Sequence, residues 1–231
     1  MKILILNGSP KQNSSTLVLT WEFMKGVNEN NEHQIESVNI VEKKINYCQG
    51  CLSCWIRQDG HCVIQDDMNG LLDRMAESDM IVWSFPLYEY GVPGPLKTLL
   101  DRTNPFLKMR MYSDGKRFFH DTVVDLPKKK NVIICGCGFP YFEDNFASLK
   151  LQMQNIFLNP CLIFISEAGL AAFPNPELQE AKGRLFTALN RAGAEFNQTG
   201  AVSHAASAKL RQPMLPADMY VDMINSMEKT Q

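Results

Sequence analysis

Four short apolar runs punctuate the chain, at residues 2–6, 80–84, 131–135 and 161–166, each bounded by Gly, Pro, Asp or Ser and none alternating with polar positions. Continuous apolar runs of this length suit strands buried on both faces, as in a parallel sheet. A fifth run, residues 36–40, does alternate, with Val38 and Ile40 against Ser37 and Asn39, which suits an edge strand. Between the runs the apolar spacing becomes helical. Leu17, Trp21 and Met24 share a face within 15–28, and Met68, Leu71, Leu72 and Met75 within 66–78, where Asp66 and Asp67 suit a helix start. Residues 93–103 open on prolines, as a first turn allows. Phe142, Phe146, Leu149, Met153, Ile156 and Phe157 follow within 142–158, then Leu178, Ala181, Leu185, Leu189, Ala192 and Phe196 within 176–196. Strand and helix therefore alternate, and the pattern predicts a doubly wound α/β fold.

Three segments exceed what that sheet needs. Residues 47–62 form a cysteine-rich connection. Residues 104–130 make a long excursion with Phe118, Phe119 and the run Lys128, Lys129, Lys130, read as a solvated loop before the fourth apolar run. Residues 201–231 are a tail with Met219, Met223, Ile224 and Met227 at helical spacing. At 231 residues the chain is long enough for one large domain with additions. Its 23 Lys and Arg nearly balance 25 Asp and Glu, so it carries no broad field for nucleic acid or anionic lipid. No apolar run is long enough to cross a bilayer, and the chain opens directly on a strand-like run, so neither a membrane span nor a signal peptide is expected. An odd seven cysteines, four of them within 48–62, suit a reducing compartment, and a cytoplasmic location is expected.

Candidate chemistry sits where strands end. The first run leads into Asn7-Gly-Ser-Pro-Lys-Gln-Asn-Ser-Ser-Thr16, a turn and a helix start packed with hydroxyls. Backbone N–H groups at a helix N-terminus bind an anion, Ser9, Ser14, Ser15 and Thr16 add donors, and Lys11 adds charge. The loop has neither the P-loop order nor the G-x-G-x-x-G of a dinucleotide fold, so a monophosphate is the better guest. A plain N-capped helix after a tight turn is the alternative. Two more loops, residues 84–97 and 135–141, leave the third and fourth runs at the same edge, where open α/β sheets bind ligands. They offer aromatic and backbone-rich surfaces.

The Gly-Ser-Pro-Lys-x-Asn-Ser-Ser-Thr loop, Pro86-Leu-Tyr88 followed by Val92-Pro-Gly-Pro-Leu-Lys97, and Leu100-Asp-Arg102 together resemble the NADPH-dependent FMN reductases, a branch of the flavodoxin-like flavoproteins. The resemblance spans about residues 2–200. Cys48-x-Gly50-Cys51-x-x-Cys54, with Cys62 and Asp66-Asp67-Met68, resembles the cysteine-bearing subgroup that includes the iron–sulfur flavoproteins. The resemblance implies a flavodoxin-like, five-stranded parallel sheet in the order 2-1-3-4-5 over residues 1–200, with 201–231 packing on the domain or on a second subunit of a homodimer. It implies that Ser9, Lys11, Asn13, Ser15 and Thr16 hold the phosphate of FMN. Pro86, Leu87, Tyr88 and Tyr90 would border the isoalloxazine, with Gly136, Cys137 and Gly138 on its other side. Lys11 stands where the family usually has Arg, which keeps the charge and loses the bidentate fork.

Three explanations compete for Cys48, Cys51, Cys54 and Cys62. Three thiolates spaced as Cys-x2-Cys-x2-Cys wrap an iron–sulfur cube in the bacterial ferredoxin run, with a fourth from nearby. Zinc sites of four cysteines usually pair two knuckles separated by a longer stretch, and His61 is a further candidate ligand. Four free thiols are the third. The resemblance implies an FMN-dependent NAD(P)H oxidoreductase passing electrons to a small acceptor such as flavin or quinone. The flavin N5 then carries the chemistry, and no catalytic side chain is needed. An electron carrier with a [4Fe–4S] cluster on the four cysteines is the rival. The near-neutral loops, with Lys11 and Lys97 against Glu89, favour two-electron chemistry.

Overall fold

The computed structural model describes residues 1–11 and 14–228 of the chain. Five parallel strands form the sheet: β1 (Lys2–Asn7), β2 (Gln34–Asn39), β3 (Met80–Pro86), β6 (Lys130–Gly136) and β7 (Cys161–Ile165). A separate antiparallel pair, β4 (Leu107–Ser113) and β5 (Phe118–Thr122), intervenes in the chain. The large sheet runs β2-β1-β3-β6-β7, which is the expected 2-1-3-4-5 order once the inserted pair is set aside. Every pairing in it is parallel. The helices are α1 (Ser15–Val27), α2 (Ser53–Arg57), α3 (Met68–Glu77), α4 (Gly94–Asp101), α5 (Ala147–Ile156), α6 (Gln179–Thr199), α7 (His204–Leu210) and α8 (Ala217–Glu228).

Because strand side chains alternate, each apolar run feeds two cores. Ile3 and Ile5 of β1, Met80 and Val82 of β3, Val132 and Ile134 of β6 and Ile163 and Ile165 of β7 face α1 and α6. Leu4, Leu6, Ile81, Trp83, Phe85, Ile133 and Cys135 face the opposite way, against α3, α4 and α5. This double covering is why the runs do not alternate. On the first side α1 and α6 touch backbone to backbone. A Cβ on Gly26 would lie 1.8 Å from the Asn190 carbonyl oxygen, and one on Gly193 2.0 Å from that of Phe23. The tail continues this layer, since Leu210, Met214 and Tyr220 are buried in the same core.

Some boundaries differ from the sequence expectation. The helix expected from Asp66 starts at Met68, because both aspartates accept bonds from elsewhere: Asp67 from the Lys44 amide (2.8 Å) and Asp66 from Arg102 and Asn46. The helix expected from residue 142 begins at Ala147, after a 3-10 turn. The excursion is not a bare loop, for β4 and β5 form a hairpin closed at Asp114 and Gly115. Of the lysine run, Lys129 caps the end of α3 by donating to the carbonyls of Ala76 (2.9 Å) and Ser78 (2.6 Å), and Lys128 pairs with Asp125 (2.7 Å). No helix among the described residues is long and apolar enough to cross a membrane.

Candidate functional site

The loop after β1 is tied down from its first residue. The Gly8 amide donates to the Ser84 carbonyl of β3 (2.8 Å), and the Ser9 amide to Asn7 Oδ1 (3.1 Å). Ser9 Oγ accepts from the Lys11 amide (3.2 Å), and Ser14 Oγ caps α1 by accepting from the Leu17 amide (3.1 Å). Ser9, Ser14 and Thr16 are buried, and Lys11 is exposed. Ser15 is half-buried and donates to the Gly169 carbonyl (3.3 Å). No acidic residue stands in the first turn of α1, so the positive end of the helix dipole is not offset there. Gln12 and Asn13 lie outside the described residues.

The other two loops join this one at Gly136. Its carbonyl accepts from the Leu87 amide (2.8 Å), and a Cβ there would sit 3.1 Å from Thr16 Oγ1 and 2.4 Å from the Ala168 Cβ. The turns after β1, β3 and β6 thus form one continuous rim at the carboxyl edge of the sheet, packed so closely at Gly136 that no side chain fits. Beyond Pro86 and Leu87 the chain turns tightly, with Tyr88 and Gly91 exchanging both backbone bonds. Glu89 and Tyr90 occupy that turn at φ 46° and 58°, left-handed values that cost a residue with a Cβ roughly 1–2 kcal/mol each. Strain of this kind gathers at functional sites. Ser148 Oγ holds the turn by donating to the Tyr90 carbonyl (2.5 Å). Tyr88 and Tyr90, with Phe139, Tyr141 and Phe142, project into solvent.

In the third loop, Cys137 turns its side chain inward. It is buried, its amide donates to the Ile165 carbonyl (2.9 Å), and its sulfur lies 3.6 Å from the Phe139 carbonyl and 3.9 Å from Ser166 Oγ. Burial pushes its thiol pKa up. The Gly138 carbonyl is taken by the Tyr220 hydroxyl of α8. Glu167, next to this loop and absent from the sequence reading, completes the tie to the tail. It is fully buried at φ 55°, its amide donates to the Phe139 carbonyl (2.9 Å), and its Oε2 accepts from the amides of Met214 (2.7 Å) and Leu215 (3.3 Å). Burial pushes this carboxyl up, against the two N–H bonds that pull it down. Its partners lie 47 and 48 positions away, and an isolated Glu after an apolar run carries no local signal of them.

The cysteine connection builds a second site. Cys48, Cys51, Cys54 and Cys62 line one small cavity together with Arg102 and Asn104. The chain curls there through left-handed residues at Gly50, Leu52, Gln58 and Gly60, which bracket the single-turn α2. Asn69 of α3 grips the Cys62 peptide from both sides, accepting from its amide (2.8 Å) and donating to its carbonyl (3.0 Å). Trp55 Nε1 donates to the Asn104 carbonyl (3.1 Å), and its ring lies 4.8 Å from that of His120 in β5, so the hairpin supports the cup. Burial raises the Cys54 thiol, and the nearby Cys62 and Cys51 raise it further, whereas bonds to Ser53 lower Cys51. His61 is engaged elsewhere, 2.7 Å from Asp73. Among the described residues no three His, Cys, Asp or Glu side chains converge on the position of a single metal ion, as the tetrahedral shell of zinc requires.

Beneath the cup lies a buried ion pair. Arg102 and Asp66 are 1% and 3% exposed, and the guanidinium meets the carboxylate through two bonds of 2.9 and 3.0 Å while donating to the Asn46 carbonyl (2.6 Å). Burial works against the charge of Asp66, but the bonds from Arg102, Asn46 and the Met68 amide outweigh it and lower its pKa to about 2. The sequence shows Arg102 as part of Leu100-Asp-Arg102 and Asp66 as a helix start within Asp66-Asp67-Met68, but not their pairing, which spans 36 positions.

Known proteins match this chain in sequence and in fold. An iron–sulfur flavoprotein of Methanocaldococcus jannaschii is 34% identical over 105 residues, which are 46% of this chain and 53% of the relative. One of Archaeoglobus fulgidus is 36% identical over 106 residues, 46% of this chain and 47% of the relative. The chain thus spans about half the length of the curated relatives it matches. Among solved structures, an NAD(P)H:quinone oxidoreductase from Methanothermobacter marburgensis superposes with a TM-score of 0.62 at 17% identity, covering 85% of this chain and 98% of its own, which establishes the shared fold. The sequence model of one family matches residues 1–138, more than half of the 231, and takes in both the rim loops and the cysteine cup. By that match the chain belongs to the NADPH-dependent FMN reductase family.

Proposed function

We propose that this chain is an FMN-dependent NAD(P)H oxidoreductase that delivers electrons to a small acceptor such as a flavin or quinone. The observation that carries the reading is the junction at Gly136, where phosphate loop, aromatic loop and third loop meet in one rim. Ser9, Lys11, Asn13, Ser15 and Thr16 hold the FMN phosphate at the start of α1. Pro86, Leu87, Tyr88 and Tyr90 border the ring on one side and the backbone of Gly136, Cys137 and Gly138 on the other. FMN, when bound, supplies the redox chemistry at its N5. The chain's part is to bind, orient and shield: the capped α1 terminus and its hydroxyls anchor the anion, and the exposed Tyr88, Tyr90, Phe139 and Tyr141 shape a slot for a second flat ring. Ser9→Ala with Thr16→Ala should weaken FMN binding roughly tenfold or more, since bonds to a charged group are worth about 1.5–3 kcal/mol each. Unchanged FMN affinity would overturn the phosphate assignment, and FMN-loaded protein that oxidises neither NADH nor NADPH would overturn the activity.

The cup supports a second component, a [4Fe–4S] cluster on Cys48, Cys51, Cys54 and Cys62, with which the chain would also serve as an electron carrier. The observation favouring it is that all four thiols line one cavity. A cube takes each thiolate at a separate iron, so it does not need the convergence that zinc does. The names of the relatives from Methanocaldococcus jannaschii and Archaeoglobus fulgidus support the same reading. Iron and sulfide assays on protein purified without oxygen test it, and Cys48→Ala should remove the iron while leaving FMN in place. We read residues 1–200 as the flavin domain. Along α8 Met219, Val221, Ile224 and Met227 are exposed on either side of the buried Tyr220, and we read them as the surface through which two copies would pair; sedimentation of wild type against Ile224→Asp tests that.

A further inference from the structure

We propose that Arg102 sets the charge balance of the cysteine cup: its guanidinium faces the sulfur at Cys62 and favours the more reduced, more negative state of the cluster, while Asp66 orients it and partly offsets its charge. The inference rests on the reading that the four cysteines hold a [4Fe–4S] cluster.

Arg102 ends α4, where its amide donates to the Thr98 and Leu99 carbonyls, so its backbone is fixed by the helix. Its side chain reaches back under the cup and is 1% exposed. Of its nitrogens, Nη1 and Nη2 are satisfied by Asp66 and by the Asn46 carbonyl, whereas Nε has no hydrogen-bond partner among the described residues. A guanidinium buried with an unspent N–H is costly. A buried ion pair is itself weak as a stability device, because well-packed apolar residues usually serve as well. Both costs make sense if a further anion stands at the unspent side. Arg102 lines the cavity of the four thiols, and the charge of Cys62 is among the influences that raise its pKa, after the bond to Asp66 and against burial. The charge of Arg102 is also felt at Cys51. The carboxylate among the cavity's lining residues, Asp101, is bonded to Lys97 at 2.6 Å. Hydrogen bonds and charge at the sulfurs are among the factors that set cluster potentials. A cation held 1% exposed against them therefore raises the potential, and a carboxylate behind it lowers that effect.

The test compares wild type, Arg102→Lys and Asp66→Asn, all purified without oxygen, by iron and sulfide content, FMN content and midpoint potential of the cluster. The lysine keeps a charge that reaches Asp66 but cannot present Nε, so its cluster should shift to lower potential. A tenfold change in the reduced-to-oxidised ratio at fixed poise is about 59 mV for one electron. The asparagine leaves the guanidinium uncompensated and should shift the cluster to higher potential. Both substitutions loosen the same ion pair, so a merely structural role would move both the same way. Shifts of opposite sign support the proposal, as does loss of iron from Arg102→Lys alone with FMN retained. Unchanged potentials, shifts of the same sign, or equal iron loss from both variants overturn it. Wild-type protein without iron would instead overturn the cluster reading beneath it.

Discussion

The flavin rim and the cysteine cup stand on the same fold and are built by different means. The rim is made by topology. Parallel strands end at one edge, their turns bond to one another through backbone groups at Gly8, Leu87 and Gly136, and two apolar cores lie beneath. The cup has no regular sheet under it. It is a curled loop with a single turn of helix, held by the Asn69 clamp, by Trp55 and by one buried ion pair reached across 36 positions. A site made by topology should tolerate the loss of one polar contact better than a site held by a few side chains.

Breaking that pair should give the largest effect. Arg102→Ala leaves Asp66 buried without its counter-ion, held only by Asn46 and the Met68 amide, which should destabilise the protein by about 3–5 kcal/mol in a denaturant titration. A loss below about 1 kcal/mol would mean that the cup stands without the pair. Acid should report the same link. With Asp66 lowered to about 2 in the folded state and an ordinary value near 3.8 when unfolded, the unfolded chain binds the extra proton between those values. The stability contributed by Asp66 is therefore present above pH 4 and lost as pH falls through 2. That loss amounts to about 2 kcal/mol, and Asp66→Asn should flatten this part of the acid profile.

The rim should answer to packing instead. Gly136→Ala sets a methyl against Ala168 and Thr16 and should cost roughly 1–3 kcal/mol, together with weaker FMN binding. Glu167 sharpens the contrast from the alkaline side. Its carboxyl is raised on folding, so the folded state holds the proton longer, and stability falls as pH rises from the ordinary carboxyl range through the raised value. Glu167→Gln should remove that slope in pH-dependent melting curves, and an unaltered slope would take Glu167 out of the account. The smallest effect belongs to the strained turn. Tyr90→Gly should stabilise the fold by up to about 1 kcal/mol while weakening flavin-dependent activity, because the left-handed turn then holds no aromatic ring.

How much of this was legible follows the same division. The non-alternating runs around Ile3, Ile81 and Ile133 announce strands covered on both faces, and the hydroxyl-rich loop announces a capped helix start, which the structure places at Ser14. The hairpin was not read from the sequence, although Leu107, Met109 and Met111 alternate with Lys108 and Arg110 and Asp114-Gly115 stands at its tip. Its largely exposed faces obscured it, for Phe118 is 81% exposed and the alternation does not mark a core. Asp66 with Arg102 and Glu167 with Met214 were not legible. Each joins residues dozens of positions apart through one side chain, and neither leaves a periodic trace. The cysteine spacing left a shared site and four free thiols both open, and only the structure shows that the fourth thiol, separated from the third by seven residues, lines the same cavity as the other three.

The most direct test of the account is an absorption spectrum of the wild-type chain purified without oxygen, with FMN, iron and sulfide assayed on the same sample. About one FMN and about four iron per chain are expected, with flavin bands riding on a broad cluster absorbance. FMN without iron would contradict the cup, and protein that takes up no FMN even when it is supplied in excess would contradict the rim and the proposed activity with it.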